Sequence, residues 1–194
     1  MLEELNKIKE LNLIKDNKIF YSALFSKEHL AKLFNELKNN ELLSFNQLID
    51  ITAIDHPSKE KRFELVYILL SMKNNKRVVL KTHLEENDNI DSLTEIFQAS
   101  NWYERECYDL FGIKFNNHPD LRRIMTDYNF EGHPLRKDFP LTGHNEVRYD
   151  DLEKKVVYEP VQLAQEFRNF DYMSPWEGFD NELIGDEKST DKDN

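Results

Sequence analysis

Residues 1–110 hold no glycine and one proline, Pro57, whereas all five glycines and the other five prolines lie beyond Phe111. Proline removes a backbone donor and glycine alone takes positive φ without strain. The first part is therefore free to build regular elements, and the second is broken into turns and extended segments. The junction, residues 101–140 (NWYERECYDLFGIKFNNHPDLRRIMTDYNFEGHPLRKDFP), starts with helical spacing and then abandons it. Aromatics, paired basic residues, carboxylates and three prolines crowd into those forty positions.

Upstream, Leu2, Leu5, Ile8 and Leu11 are spaced for one face of a short helix. Residues 19–24 (IFYSAL) read as a short strand. Ser26 offers a helix cap, followed by a stripe of Leu30, Leu33, Phe34 and Leu37 and a stop at Asn39 and Asn40. Residues 48–54 read as a strand closed by Asp55, His56 and Pro57. In the next run Phe63, Leu65, Tyr67 and Leu69 alternate with Val66, Ile68 and Leu70, so both faces are apolar and the strand belongs inside its sheet. Residues 76–84 have a wetter face through Arg77, Lys81 and His83. Lys73, Asn74 and Asn75 between these two strands suit a tight hairpin, because Asn tolerates positive φ. Asp91 and Ser92 open a helix, with Ser92 and Glu95 as a capping box. It runs through Ile96, Phe97, Tyr103, Cys107 and Leu110 to a stop at Gly112, with a dip at Ala99, Ser100 and Asn101 that bends or splits it.

These elements predict an α+β fold. It is a small two-layer sandwich, with an antiparallel or mixed sheet and helices on one face, followed by a long extended C-terminal arm. The expected boundaries are 1–112 for the domain, 113–176 for the arm and 177–194 for an acidic tail. No long stripe of either period follows the junction until Val156. The arm nevertheless keeps its Phe, Tyr, Leu and Trp, which a disordered linker would lack. So small a domain cannot shelter an arm of that length, so its apolar groups are expected to find burial on another chain.

Several functions are excluded by charge and composition. A net charge of −11 is wrong for a free-standing nucleic-acid binder and for adsorption to anionic lipid. The single cysteine, Cys107, makes no internal disulfide and holds no iron–sulfur cluster alone. The longest apolar run, residues 65–70, is far short of a membrane span. The N-terminal residues mix acids with lysines and lack an apolar core, unlike a secretory signal or a transit peptide. No GxGxxG, GxxxxGK[ST] or HExxH pattern occurs.

The residues that look chemical have structural readings. Glu104, Arg105, Glu106 and Asp109 form a charged patch, with Arg105 and Asp109 spaced as an i, i+4 pair, and read as a solvated or interface face. His118, His133 and His144 are unevenly spaced, and are expected to cap turns or donate to backbone carbonyls rather than to bind metal. His118-Pro119 and His133-Pro134 set chain direction, since proline holds its predecessor extended. Arg122-Arg123 and Arg136-Lys137 stand beside Asp120, Asp127, Glu131 and Asp138, so ion pairing within the arm or to a partner is expected. Cys107 reads as a packed core thiol, and Trp102 and Trp176 as packing anchors. No catalytic set emerges. A stand-alone hydrolase using Glu104 or Glu106 with His118 would be active as a purified monomer. An RNA-binding module would need basic, aromatic exposed strands.

With the arm in view, ERECYDLFGIKFNNHPDLRRIM resembles the signature of the thirty-kilodalton (C) subunit of respiratory complex I, the proton-translocating NADH:quinone oxidoreductase. TDYNFEGHPLRKDFPLTGHNEVRYDD and EPVQLAQEFRNFDYMSPWE are similar to the form found in mitochondria and their alphaproteobacterial relatives. Related subunits occur in membrane-bound hydrogenases, and EGHPLRKDFPL favours the respiratory form. The resemblance implies a peripheral-arm subunit, on the cytoplasmic or matrix side of an inner membrane, reaching the membrane only through the complex. It implies no cofactor on this chain, with FMN, iron–sulfur clusters and quinone held by other subunits. It implies packing chiefly on the forty-nine-kilodalton (D) subunit, with the terminal-cluster (B) subunit and other peripheral-arm subunits nearby. Carried onto this chain, the motif comprises Glu104, Arg105, Glu106, Asp109, Leu110, Phe111, Gly112, His118, Pro119, Asp120, Leu121, Arg122 and Arg123. With Arg136, Lys137 and Trp176, these residues are expected to serve assembly and packing.

Overall fold

A run that is apolar on both faces is driven to the middle of a sheet, and residues 63–71 lie there. The computed structural model describes residues 2–16 and 19–165. Five strands, β1 (Leu11–Asp16), β2 (Phe20–Phe25), β3 (Gln47–Asp55), β4 (Phe63–Ser71) and β5 (Lys76–Leu84), form one sheet in the order β1-β2-β5-β4-β3. Only the β2–β5 pair is parallel, so the sheet is mixed. The β4–β5 hairpin closes with Ser71 opposite Lys76, and Asn75 takes φ 48° in the turn.

Among the described residues three α-helices accompany the sheet: α1 (Leu2–Leu5), α2 (Leu30–Asn39) and α3 (Ser100–Phe111). The apolar stripe of α2 is buried at Leu30, Leu33, Phe34 and Leu37. Phe34 meets Tyr67 of β4 edge-on at 5.0 Å, and Phe25 of β2 at 5.8 Å. On α3 the Cys107 Sγ donates to the carbonyl of Ile51 in β3, and Ile51 lies opposite Tyr67 of β4. Both longer helices therefore cover the face of β4 that carries Phe63, Leu65, Tyr67 and Leu69. The other face carries Glu64, bonded to Lys81 at 2.5 Å. Two short strands, β6 (Asn89–Asp91) and β7 (Lys114–Asn116), pair in parallel on either side of α3, burying Ile90 and Phe115. The fold is thus the α+β sandwich expected, with helices on one face.

The chain separates into two compact units, residues 1–145 and 146–194. The sequence placed that break at 112. Residues 113–145 instead belong to the first unit, because β7 and a series of polar anchors tie them back to it. A hairpin of β8 (Asn145–Asp150) and β9 (Lys155–Pro160) follows. Its charged face is closed by Arg148 Nε donating to Glu159 at 3.1 Å. Val147, Tyr149, Val156 and Tyr158 are all more than half exposed. The expected tail and Trp176 lie outside the described residues.

Other local expectations also change. The N-terminal stripe makes only the four-residue α1 before the chain turns into β1. Ser26 precedes a short 3₁₀ turn without a side-chain cap bond. The helix expected from Ser92 begins at Ser100 instead. Residues 94–96 and 98–99 form turns, and Ser92 bonds Glu104 rather than forming a box with Glu95.

Candidate functional site

The charged cluster of α3 is not a solvated face. Glu104 and Asp109 are both 0 % exposed, and each is the acceptor that holds a neighbouring segment. Burying a carboxylate is tolerated only when donors replace its water, and each finds them on chain outside α3.

Asp109 receives five hydrogen bonds. Oδ2 accepts from the backbone N–H of Ile124 (3.0 Å), Met125 (2.7 Å) and Thr126 (2.8 Å). Oδ1 accepts from Arg123 Nη1 (2.7 Å) and from the Thr126 hydroxyl (2.5 Å). Burial alone would raise its pKa, but the bonds from Thr126, Arg123 and Met125 outweigh it and hold the carboxyl well below the usual range. Its backbone carbonyl accepts from His133 Nδ1 at 2.8 Å. Arg123 also donates to the Gly132 carbonyl at 2.9 Å. The expected Arg105–Asp109 pair does not form, because Asp109 points into this loop. Arg105 instead donates to the carbonyls of Arg122 (3.1 Å) and Arg123 (3.3 Å).

Glu104 faces the other way. Oε2 accepts from the Ser92 hydroxyl at 2.6 Å and Oε1 from the Leu93 N–H at 2.7 Å. His118 Nε2 stands 3.9 Å from Oε2, and bonds the Asn101 carbonyl at 3.1 Å. Burial is the largest influence on this carboxyl and pushes its pKa up to about 7, against the hydrogen bonds from Ser92 and Leu93. Burial likewise pushes the Cys107 thiol far up, and its Sγ donates to the Ile51 carbonyl at 3.3 Å.

A second anchor lies where β3 ends and β4 begins. Arg62 forks onto Asp55 with Nε–Oδ1 2.8 Å and Nη2–Oδ2 3.0 Å, and reaches Asp138 at 3.0 Å. The Arg62 hydrogen bond is the main reason the Asp55 carboxyl sits low, and the Lys137 N–H adds a bond of 2.7 Å. Arg136 donates to the Phe111 carbonyl at 2.6 Å and to Glu86 at 2.9 Å. Residues 122–138 are thus a strap pinned at Asp109 and at Asp55. Gly112 sits under it with φ +80°, and a Cβ there would lie 2.5 Å from Arg136 Nη2 and 2.7 Å from the His133 ring.

His118 and His133 therefore bond backbone carbonyls, as the sequence suggested, and Arg123 and Arg136 make ion pairs within the chain. Arg122 pairs with Asp120 at the surface. Pro119 is exposed, Leu121 packs partly against the core, and Lys137 holds on by its backbone. Glu106 is half-buried on α3. Trp102, expected as a packing anchor, is 66 % exposed beneath the Arg105 guanidinium. The sequence missed Asp55, Arg62 and Ser92 as partners of the strap and of α3. Their only signals were a carboxylate or hydroxyl at the end of a strand and a basic residue before the next one, which are common at turns. Among the described residues no group of three or more His, Cys, Asp or Glu could hold a metal ion. Glu104 and Asp109 spend their acceptors on structure.

Comparison with known proteins decides the family. A family model described as "Respiratory-chain NADH dehydrogenase, 30 Kd subunit" matches residues 23–145. The chain belongs to this family, the C subunits of respiratory complex I. It is 59 % identical over 154 residues to the C subunit of the NADH-quinone oxidoreductase of Methylobacterium radiotolerans, covering 79 % of this chain and 72 % of that one. It is 53 % identical over 177 residues to the C subunit of the same enzyme from Azorhizobium caulinodans, covering 90 % and 84 %. A solved structure described as the trypsin-resistant fragment (1-134) of Nqo5 is 29 % identical with a TM-score of 0.53, covering 62 % of this chain and 96 % of that one. A chain of an archaeal membrane-bound sulfane sulfur reductase shares the fold, with a TM-score of 0.62 at 24 % identity over 72 % of this chain and 83 % of that one. The protein is thus a subunit of the NADH:quinone oxidoreductase, its partners are other complex I subunits, and the matched family segment includes both anchors and the whole strap.

Proposed function

We propose that this subunit is a scaffold of the peripheral arm, binding no cofactor itself and holding the cluster-bearing and quinone-binding subunits in register. Electron tunnelling falls steeply with distance, so a rigid spacer influences transfer without touching an electron. The observation that carries this reading is the commitment of Asp109 and Asp55 to structural bonds within the chain. A carboxylate accepting five hydrogen bonds, with its pKa held down, is a poor proton shuttle at neutral pH. FMN, iron–sulfur clusters and quinone then belong to other subunits.

The forty-nine-kilodalton (D) subunit is the main partner in this reading, with the terminal-cluster (B) subunit beside it. Support comes from the β8–β9 hairpin, whose apolar side chains stay open to solvent although a two-stranded ribbon is marginal alone. The relative whose trypsin-resistant fragment stops at residue 134 fits a domain that folds by itself and an arm that needs company. Among the described residues no helix is long and apolar enough to cross a membrane. Attachment to the inner membrane, on its cytoplasmic or matrix face, is through the complex in this reading. The motif residues Glu104, Arg105, Glu106, Asp109, His118, Pro119, Asp120, Leu121, Arg122, Arg123, Arg136, Lys137 and Trp176 serve assembly in this view.

The test replaces Arg123 by Ala in the intact complex and reads native gels alongside NADH:quinone turnover per assembled complex. Less complex with unchanged turnover is expected. Normal assembly with lost turnover overturns the scaffold role.

A further inference from the structure

The loop after Leu121 is over-anchored for a connection that buries so little of its own apolar surface. Asp109 takes three successive backbone N–H groups from it, and Arg105 takes the two carbonyls before them. Yet Met125 and Tyr128 are 64 % and 78 % exposed. Arg122 has its pKa raised first by Asp120 and then by Tyr128, which lies close to it, and Arg105 lies over the Trp102 ring at 5.8 Å. Trp102, Arg105 and the Arg122 backbone are thus linked in one row, with Tyr128 beside Arg122 and Met125 on the same pinned backbone. Trp, Tyr and Arg are the residue types that dominate binding hot spots. A backbone fixed beforehand loses little entropy when its side chains are captured.

We propose that this row is a preorganised docking patch for another subunit of the same complex, separate in sequence from the β8–β9 hairpin. The inference rests on the scaffold reading and names a surface within it. The size of the patch selects the kind of partner. With 150–250 Å² available per aromatic side chain, the exposed parts of Trp102, Met125 and Tyr128 offer on the order of 400 Å². A self-sufficient interface needs about 800 Å² per partner. A second copy of this chain would not stay bound through the patch alone, whereas a subunit already held elsewhere in the assembly would. The chemistry it must present also follows. Arg105 uses Nε and Nη2 and Arg122 uses Nε in the bonds above, so each guanidinium keeps donors to spare. The partner surface is an apolar depression for Trp102 and Tyr128, rimmed by carboxylates or backbone carbonyls.

The experiment has two arms, both on the intact complex in detergent. In the first, a photo-crosslinking amino acid replaces Trp102. A single crosslinked product with one other subunit is expected. Crosslinks confined to residues 166–194 of the same chain, or joining two copies of it, overturn the proposal. In the second, the double variant Trp102→Ala/Tyr128→Ala is compared with wild type. Its isolated chain should melt within about 2 °C of wild type, because neither side chain is in the core. Its release from the complex should be roughly tenfold faster or more. Release at the wild-type rate overturns the patch. Failure of the scaffold reading shows differently, as complex that assembles fully without this subunit.

Discussion

Asp109 and Glu104 lie five residues apart on one helix, both without solvent exposure, and titrate in opposite directions. Glu104 is the more deeply enclosed of the two, and it has fewer donors. Asp109 has five, including a guanidinium, so its charged form is favoured. Glu104 has a hydroxyl and one N–H, which do not offset burial. Asp109, depressed in the folded state, contributes stability that is present above the unfolded carboxylate range and lost as pH falls below about 4. Glu104 has the reverse sign. The fold binds its proton more tightly than the unfolded chain does, so its stabilising effect is complete below about 4.5 and lost as pH rises towards about 7. The span corresponds to roughly 3 kcal/mol. Glu104→Gln should therefore flatten the loss of stability between about pH 5 and pH 8, measured by urea unfolding across that range. A variant keeping the wild-type slope would show that Glu104 is already charged in the fold. Tyr67, Cys107 and His118 are its titratable neighbours, and their variants serve as controls.

The two arginines of the Arg122-Arg123 pair separate at the same scale. Arg123 neutralises a buried charge, and its loss leaves Asp109 uncompensated at a cost of about 3 kcal/mol. Arg122 faces water beside Asp120, so Arg122→Ala should leave the thermal midpoint of the isolated chain nearly unchanged. Thermal melts of both variants check this, and equal losses would contradict the assignment of the buried ion pair to Arg123.

Among elements, legibility tracked periodicity. The stripe of α2, the double-sided β4 and the Asn-rich β4–β5 turn were readable because each is fixed by local spacing or local φ. The start of α3 was not, because Ser92 satisfies two criteria at once. Its capping-box partner at Glu95 is local, but Glu104 is buried and offers a better-desolvated acceptor. The strap was misread for a related reason. Sequence shows no period in residues 122–138, since backbone N–H groups bonded to one distant carboxylate leave no pattern of side chains. The glycine under the strap did leave a trace. Gly112→Ala should cost at least about 2 kcal/mol, combining positive φ with displacement of Arg136 and His133. Chemical denaturation measures it. A loss near that of an ordinary exposed Gly→Ala change would mean that the strap does not press on the helix end.

For the whole molecule, the composition break at Phe111 is real but marks a change in the kind of burial rather than the end of the domain. After Ile113 and Phe115, which still pack in the core, residues up to 145 are held mainly by ions and backbone donors. Beyond them the hairpin has one ion-paired face, while Val147, Tyr149, Val156 and Tyr158 remain open to solvent. A lone hairpin is marginal in water, so its local opening should cost little free energy. Arg148 and Lys155 are more than half exposed there, whereas Arg123 and Arg136 are engaged in the strap. Trypsin acting on the free chain should therefore cut at Arg148, Lys154 or Lys155 well before Arg123 or Arg136. In the assembled complex the same hairpin sites should be protected, because the apolar residues would be covered by a neighbour. Mass spectrometry of timed digests of the two preparations gives the comparison. Equal cleavage of the hairpin in both would mean that assembly does not cover it, and the arm would lose its place in the scaffold while the strap kept its own.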